Sequence, residues 1–162
     1  MSRGVLVARD EHGCARSGPA SVIAYFDTSV LLKFVIQEDG RPVARDFWER
    51  ADAVVTCQLT YAEARAALAA AQRSGRLSAL GHRSSVQKVD ERWDQLAALD
   101  VDAAMAARAG SLAQAHGLSG ADAGQLAAAA AIPLDDLVFV TWDRRLAAGA
   151  AAMGLAVVPA PD

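Results

Sequence analysis

Residues 22–34, VIAYFDTSVLLKF, pass from an apolar run into Asp27-Thr28-Ser29 and out again into apolar residues at helical spacing. Val22 to Phe26 read as a buried strand, after which Val30, Leu31, Phe34 and Val35 share one face of a helix. A carboxylate and two hydroxyls therefore stand at a strand-to-helix joint. As a helix cap Asp27 would contribute about 1 kcal/mol. Whether capping is its whole duty depends on what the rest of the chain brings beside it.

Three more short apolar runs, Ala53–Cys57, Leu137–Thr141 and Leu155–Val158, read as buried strands, with a weaker fifth around Leu99–Val101. Runs without polar alternation suit a parallel sheet covered on both faces. Helical patterns fill the intervals. Pro42–Arg50 has proline in its first turn, and the Ala-rich Thr60–Arg73 stops before Gly75. A helix runs through Val86, Val89, Trp93 and Leu96; Val101–His116 and Ser119–Ala131 are divided at Gly117; Asp143–Met153 is closed by Gly154. This alternation predicts an α/β fold with a central, mostly parallel sheet of four to five strands. Residues 1–20 mix Gly, Ser, Pro and both charge signs without a lasting period, which predicts a flexible extension ahead of one domain over 21–162.

Composition narrows the classes. At 53% hydrophobic and 22% charged the chain is globular rather than disordered. No apolar run reaches the ~20 residues that cross a bilayer, and the first twenty residues lack the apolar stretch of a signal peptide. No membrane association is expected, and the cytoplasm is the expected location. Cys14 and Cys57 are too few for a disulfide framework, and neither they nor His12, His82 and His116 show zinc-ligand spacing. A net charge of −3 argues against a general DNA binder, so any nucleic-acid contact must come from a local basic patch.

Four acidic residues sit where such elements meet: Asp27, Glu63 in TYAEARAAL, Asp122 in LSGADAGQLAAA and Asp143 in FVTWDRRLAA. Each has a local explanation. Thr60-x-x-Glu63 and Ser119-x-x-Asp122 fit the capping-box spacing, Asp27 and Asp143 are good N-caps, and helix dipoles favour all four. Together they suggest more. In a parallel α/β sheet the strand-to-helix joints share the carboxyl edge, where ligands bind. Asp27, Glu63 and Asp143 fall at such joints, and Asp122 opens a helix that must pack on the same sheet. Carboxylates gathered there would repel one another and raise their own pKa values. Mg2+ or Mn2+, which prefer oxygen ligands, would remove that repulsion. Other acids read more simply: Asp102 as a cap, Glu38-Asp39-Gly40 as a turn, Asp135-Asp136 as a solvated turn.

In this order, YFDTSVLLKF, LTYAEARAAL, LSGADAGQLAAA and VFVTWDRRL resemble the PIN-domain ribonucleases, and in this short form the VapC-type toxins of bacterial toxin–antitoxin pairs. The likeness runs from about residue 22 to the end of the chain. It implies a three-layer α/β/α PIN-like domain in which Asp27, Glu63, Asp122 and Asp143 match the catalytic, metal-binding acidic quartet. Thr28, Ser29 and Thr141 match supporting positions. The implied reaction is hydrolysis of RNA phosphodiester bonds by a water activated on Mg2+ or Mn2+, leaving a 5′-phosphate and a 3′-hydroxyl. The implied partners are the RNA, a cognate VapB-like antitoxin laid across the acidic cleft, and a second copy of the chain in a homodimer.

The chain departs from the resemblance at Gly124-Gln125, where the family often has a bulky apolar residue and a histidine. Gln125, one turn beyond Asp122, is expected to support the site by holding a metal-bound water. Lys33, Arg65, Arg144 and Arg145 are the candidates for RNA contact, and Arg73, Arg76, Arg83 and Lys88 form a looser basic region. The competing readings are a housekeeping nuclease of the same fold, a non-catalytic PIN-like RNA-binding module, and a phosphatase with Asp27 as nucleophile. The intact acidic set argues against the binding module. The phosphatase would want a second carboxylate two residues on, where Ser29 stands.

Overall fold

The computed structural model describes residues 22–36, 39–133 and 137–159. Its strands are β1 (Ile23–Phe26), β2 (Ala53–Cys57), β3 (Ala97–Leu99), β4 (Leu137–Val140) and β5 (Ala156–Val158). Its helices are α1 (Thr28–Val35), α2 (Arg41–Arg50), α3 (Leu59–Arg73), α4 (Ala79–Trp93), α5 (Ala103–His116), α6 (Gly120–Ala129) and α7 (Arg144–Ala152). The strands form one sheet in the order β3-β2-β1-β4-β5, and every pairing is parallel. From β1 the chain builds outward through β2 to β3, then returns to lay β4 on the other side of β1. The switch point, where a crevice opens at the carboxyl edge, therefore lies between β1 and β4.

Side-chain alternation along β1 explains the layers. Ala24 and Phe26 point to one face, where Val30, Phe34 and Ala44 of α1 and α2 cover them. Tyr25 points to the other, among Leu126, Phe139 and Leu146, and its ring stacks on Phe139 at 5.1 Å. A third cluster, Leu31, Val35, Ala64, Leu68 and Val89, joins α1 to α3 and α4. Helix α6 is buried from Ala123 to Ala129. Its alanines let it lie close against its neighbours, as expected for a helix with no polar stripe. The result is the expected three-layer α/β/α arrangement, with a fully parallel sheet of five strands.

Local chemistry sets most helix starts: Asp27, Ser78, Asp102, Ser119 and Asp143 each accept a first-turn backbone N–H with the side chain. Two expectations are corrected. Helix α3 begins at Leu59 with Gln58 at its cap position, so Thr60 lies inside the helix and is not a capping-box residue. Its hydroxyl is drawn sideways to Thr56 at 2.7 Å. The weak strand lies two residues earlier than expected, because Leu99 pairs with Cys57 and Asp102 must be left to cap α5. Cys57 is fully buried, as expected. The readings of residues 1–20, of Glu38 and of Asp135-Asp136 lie outside the described residues.

Candidate active site

Asp27 directly follows β1 and is 4% exposed. Its two oxygens have different duties. Oδ1 accepts from Ser29 Oγ at 2.6 Å and from the Val30 N–H at 3.1 Å, which caps α1. Oδ2 accepts from Thr141 Oγ1 at 2.7 Å, across the switch point. The Thr141 hydroxyl in turn accepts the Asp143 N–H at 3.0 Å, and Ser29 Oγ accepts the Trp142 N–H at 3.0 Å. These bonds lace the β1–α1 joint to the β4–α7 joint. Burial pushes the Asp27 carboxyl up from 3.8 to about 6 against the opposing hydrogen bonds from Ser29, Thr141 and Val30, and the nearby Asp143 adds to the rise. Asp143 caps α7 through Oδ1, which accepts the Leu146 N–H at 2.9 Å.

Glu63 projects from α3, and Oε2 accepts from Thr28 Oγ1 and from Gln125 Nε2, both at 2.7 Å. Thr28 therefore serves Glu63, while Ser29 serves Asp27. On α6, Asp122 accepts from Ser119 Oγ at 2.7 Å and gives its N–H to the same oxygen at 3.2 Å, the expected capping relation. Gln125 is 2% exposed. Its amide protons go to Thr60 Oγ1 at 2.9 Å and Glu63 Oε2, and Oε1 accepts from Tyr25 OH at 2.8 Å. Both ends of its amide are thus bonded within the protein, to Tyr25 on one side and to Thr60 and Glu63 on the other. At the neighbouring Gly124 a Cβ would stand 2.6 Å from Leu59 Cδ1, a side-chain tip at the start of α3.

The structure brings Asp27 and Asp143 together around Thr141, and ties Glu63 to the helix that carries Asp122. It does not cluster all four: among the described residues no three His, Cys, Asp or Glu side chains are placed to hold one metal ion. Each acid is instead satisfied by neighbouring hydroxyl, amide or backbone donors. The chemistry of the donor set still fits a hard divalent cation such as Mg2+ or Mn2+. It offers carboxylate and hydroxyl oxygens without thiolate or imidazole, and a carboxyl whose burial disfavours bare negative charge.

The basic candidates divide. Lys33 is buried, with Nζ 4.6 Å from the Trp142 ring centroid. Trp142 also packs on Gly40, whose φ of 86° is left-handed and where a Cβ would meet the ring at 2.5 Å. Arg65 turns to Tyr61 OH and to Asp90 at 3.4 Å. Arg144 and Arg145 are exposed at the start of α7, directly after Asp143. Tyr25 and Thr56 are polar members of the site that the sequence did not single out, and Thr60 was read only as a cap; a tyrosine inside a buried apolar strand was the available signal.

An all-parallel sheet with an acidic, hydroxyl-lined switch point places this chain among α/β proteins that handle a ligand at the carboxyl edge. The chain belongs to the PIN-domain family, whose model matches residues 24–151. It is 39% identical over 138 residues to Ribonuclease VapC45 of Mycobacterium tuberculosis (strain CDC 1551 / Oshkosh), covering 85% of this chain and 96% of the relative. The crystal structure of PAE2754 from Pyrobaculum aerophilum is similar at a TM-score of 0.60 and 25% identity, covering 85% of this chain and 91% of that one. A toxin-antitoxin complex from Klebsiella pneumoniae shares the fold at a TM-score of 0.54 and 21% identity, covering 85% and 96%.

Proposed function

We propose that this protein is a VapC-type endoribonuclease that hydrolyses RNA phosphodiester bonds with Mg2+ or Mn2+ and is held inactive by a cognate antitoxin. The observation that carries the reading is Asp27. It is buried at the switch point beside Asp143, and it bonds to Ser29 and Thr141 in a chain 39% identical to a ribonuclease. Asp27, Glu63, Asp122 and Asp143 are the residues that would hold the cation. When bound, it supplies an activated water and neutralises charge on the phosphate. The chain's own groups do the rest. Ser29 and Thr141 fix both oxygens of Asp27, and Thr141 positions Asp143 through its N–H. Thr28 and Gln125 fix Glu63. The exposed Arg144 and Arg145 draw phosphate oxygens toward the acids, which would otherwise repel them. Residues 21–162 form the working domain in this reading, with a second copy of the chain and the antitoxin as partners. The similarity to a chain from a toxin-antitoxin complex supports the latter.

The test is cleavage of transfer and ribosomal RNAs by purified protein freed of antitoxin, with Mn2+ present. Wild type should cut and Asp27→Asn should not; a wild type that cuts nothing refutes the nuclease, and a variant that cuts equally well refutes the site. A short reading frame directly upstream, encoding a DNA-binding partner, separates a toxin from a housekeeping nuclease of this fold.

A further inference from the structure

Gln125 is the most heavily used polar side chain in the core, and its orientation is settled by chemistry. Glu63, as a carboxylate, can only accept, so Gln125 must present its amide nitrogen to it at 2.7 Å. The opposite end is consistent. Tyr25 OH reaches Oε1 at 2.8 Å and Cys57 Sγ reaches it at 3.5 Å, and burial holds both groups in their protonated, donating forms. The second amide proton goes to Thr60 Oγ1. Thr56 spends its own proton on the Phe26 carbonyl at 2.6 Å, so Thr60 must donate to Thr56 and is left to accept from Gln125. One side chain thus links β1, β2, α3 and α6.

What this linkage does is visible at Glu63. The bonds from Gln125 and Thr28 both end on Oε2, and Oε1 takes neither. Every buried side-chain polar atom in the described residues has a partner, so the outer oxygen of Glu63 lies where solvent reaches it. Next to Gln125, a Cβ at Gly124 would stand 2.6 Å from Cδ1 of Leu59, a side-chain tip at the start of α3.

We propose that Gln125 is a positioning residue that clamps Oε2 of Glu63 and turns Oε1 toward the cleft. The inference rests on the reading of Glu63 as a ligand for the divalent cation. Outer-shell partners of this kind change metal affinity by about 10–100-fold when removed.

The experiment is a Mn2+ titration of the full chain without RNA, followed by electron paramagnetic resonance of the free ion, with the melting temperature recorded for each variant. Gln125→Met keeps the length of the side chain and removes the donor; it should weaken Mn2+ binding by about 10–100-fold in protein that is still folded. Tyr25→Phe keeps the ring on Phe139 and removes only the far anchor, so it should weaken binding to a lesser degree; this variant decides the matter if Gln125→Met does not fold. Glu63→Gln tests the underlying reading. Wild-type affinity in Glu63→Gln overturns Glu63 as a ligand. Loss in Glu63→Gln with wild-type affinity in the Gln125 and Tyr25 variants overturns the positioning role alone. A lowered melting temperature with unchanged Mn2+ affinity would show a purely structural glutamine and overturn it equally.

Discussion

Asp27→Asn should make the protein more stable at neutral pH while abolishing cleavage. Burial raises the Asp27 carboxyl from 3.8 to about 6. Between those values the native state holds a proton that the unfolded state has lost, so stability falls as pH rises through the window. Above about 6 the ionised, buried carboxylate costs the fold roughly 3 kcal/mol, at about 1.4 kcal/mol per pH unit. Asparagine removes that cost. It has a cost of its own, because Oδ2 accepts from Thr141, and an amide nitrogen there would face the same hydroxyl as a donor. The Thr141 oxygen already accepts the Asp143 N–H, so the rearrangement forfeits about 1 kcal/mol. The expected net gain is about 1–2 kcal/mol at pH 7.5, vanishing or reversing near pH 4.

Urea unfolding of both proteins with a metal chelator present, at pH 7.5 and pH 4.5, reads this difference as a shift in midpoint at constant slope. A variant less stable than wild type at pH 7.5, or a difference that does not change with pH, would refute the reasoning. Repeating the pH 7.5 melt with Mn2+ adds a second arm. Ligand binding to the native state should stabilise wild type and leave Asp27→Asn nearly unmoved. An acid retained at a stability cost is what a functional site requires and a cap does not.

Thr141→Val, close in shape, deprives Asp27 of a donor and the Asp143 N–H of its acceptor, and should cost about 1–3 kcal/mol in urea melts while raising the Mn2+ concentration needed for cleavage. Gly124→Leu should lose about 1–3 kcal/mol to overpacking against Leu59, read from the same melts. Arg144→Gln with Arg145→Gln should raise KM for RNA, leave kcat at saturation nearly unchanged and flatten the dependence of binding on salt by about one to two counterions, measured by titration at several ionic strengths.

The strands were legible to within two residues because short apolar runs bounded by polar joints admit few other readings, and the caps at Asp27, Asp102, Ser119 and Asp143 because capping is chemistry between near neighbours. Thr60 shows the limit. Its spacing to Glu63 satisfied a local rule, yet the residue was captured by Thr56 and by Gln125, partners that only the folded sheet supplies. The role of Gln125 was out of reach for the same reason, since Tyr25 is 100 residues away and Glu63 is 62 away. Nor could spacing tell which acid Thr28 and Ser29 each serve. That depends on the phase of α1, which turns Ser29 back to Asp27 and Thr28 across to α3.

Capping and ligation are not exclusive alternatives. A carboxylate has two oxygens, and a helix N-terminus needs only one of them. Asp27 caps with Oδ1 and reaches across the switch point with Oδ2; Asp143 caps with Oδ1 alone; Glu63 is held by Oε2 alone. A cap fixes the side chain in one rotamer and, through the helix dipole, makes its negative charge cheaper to hold. Those are the conditions a carboxylate must meet to offer its other oxygen to a cation without losing entropy on binding. Acids that cap helices along one sheet edge are therefore pre-organised in the way a cation ligand needs to be. The strand-to-helix joint at Asp27 could serve stability and chemistry with the same residue.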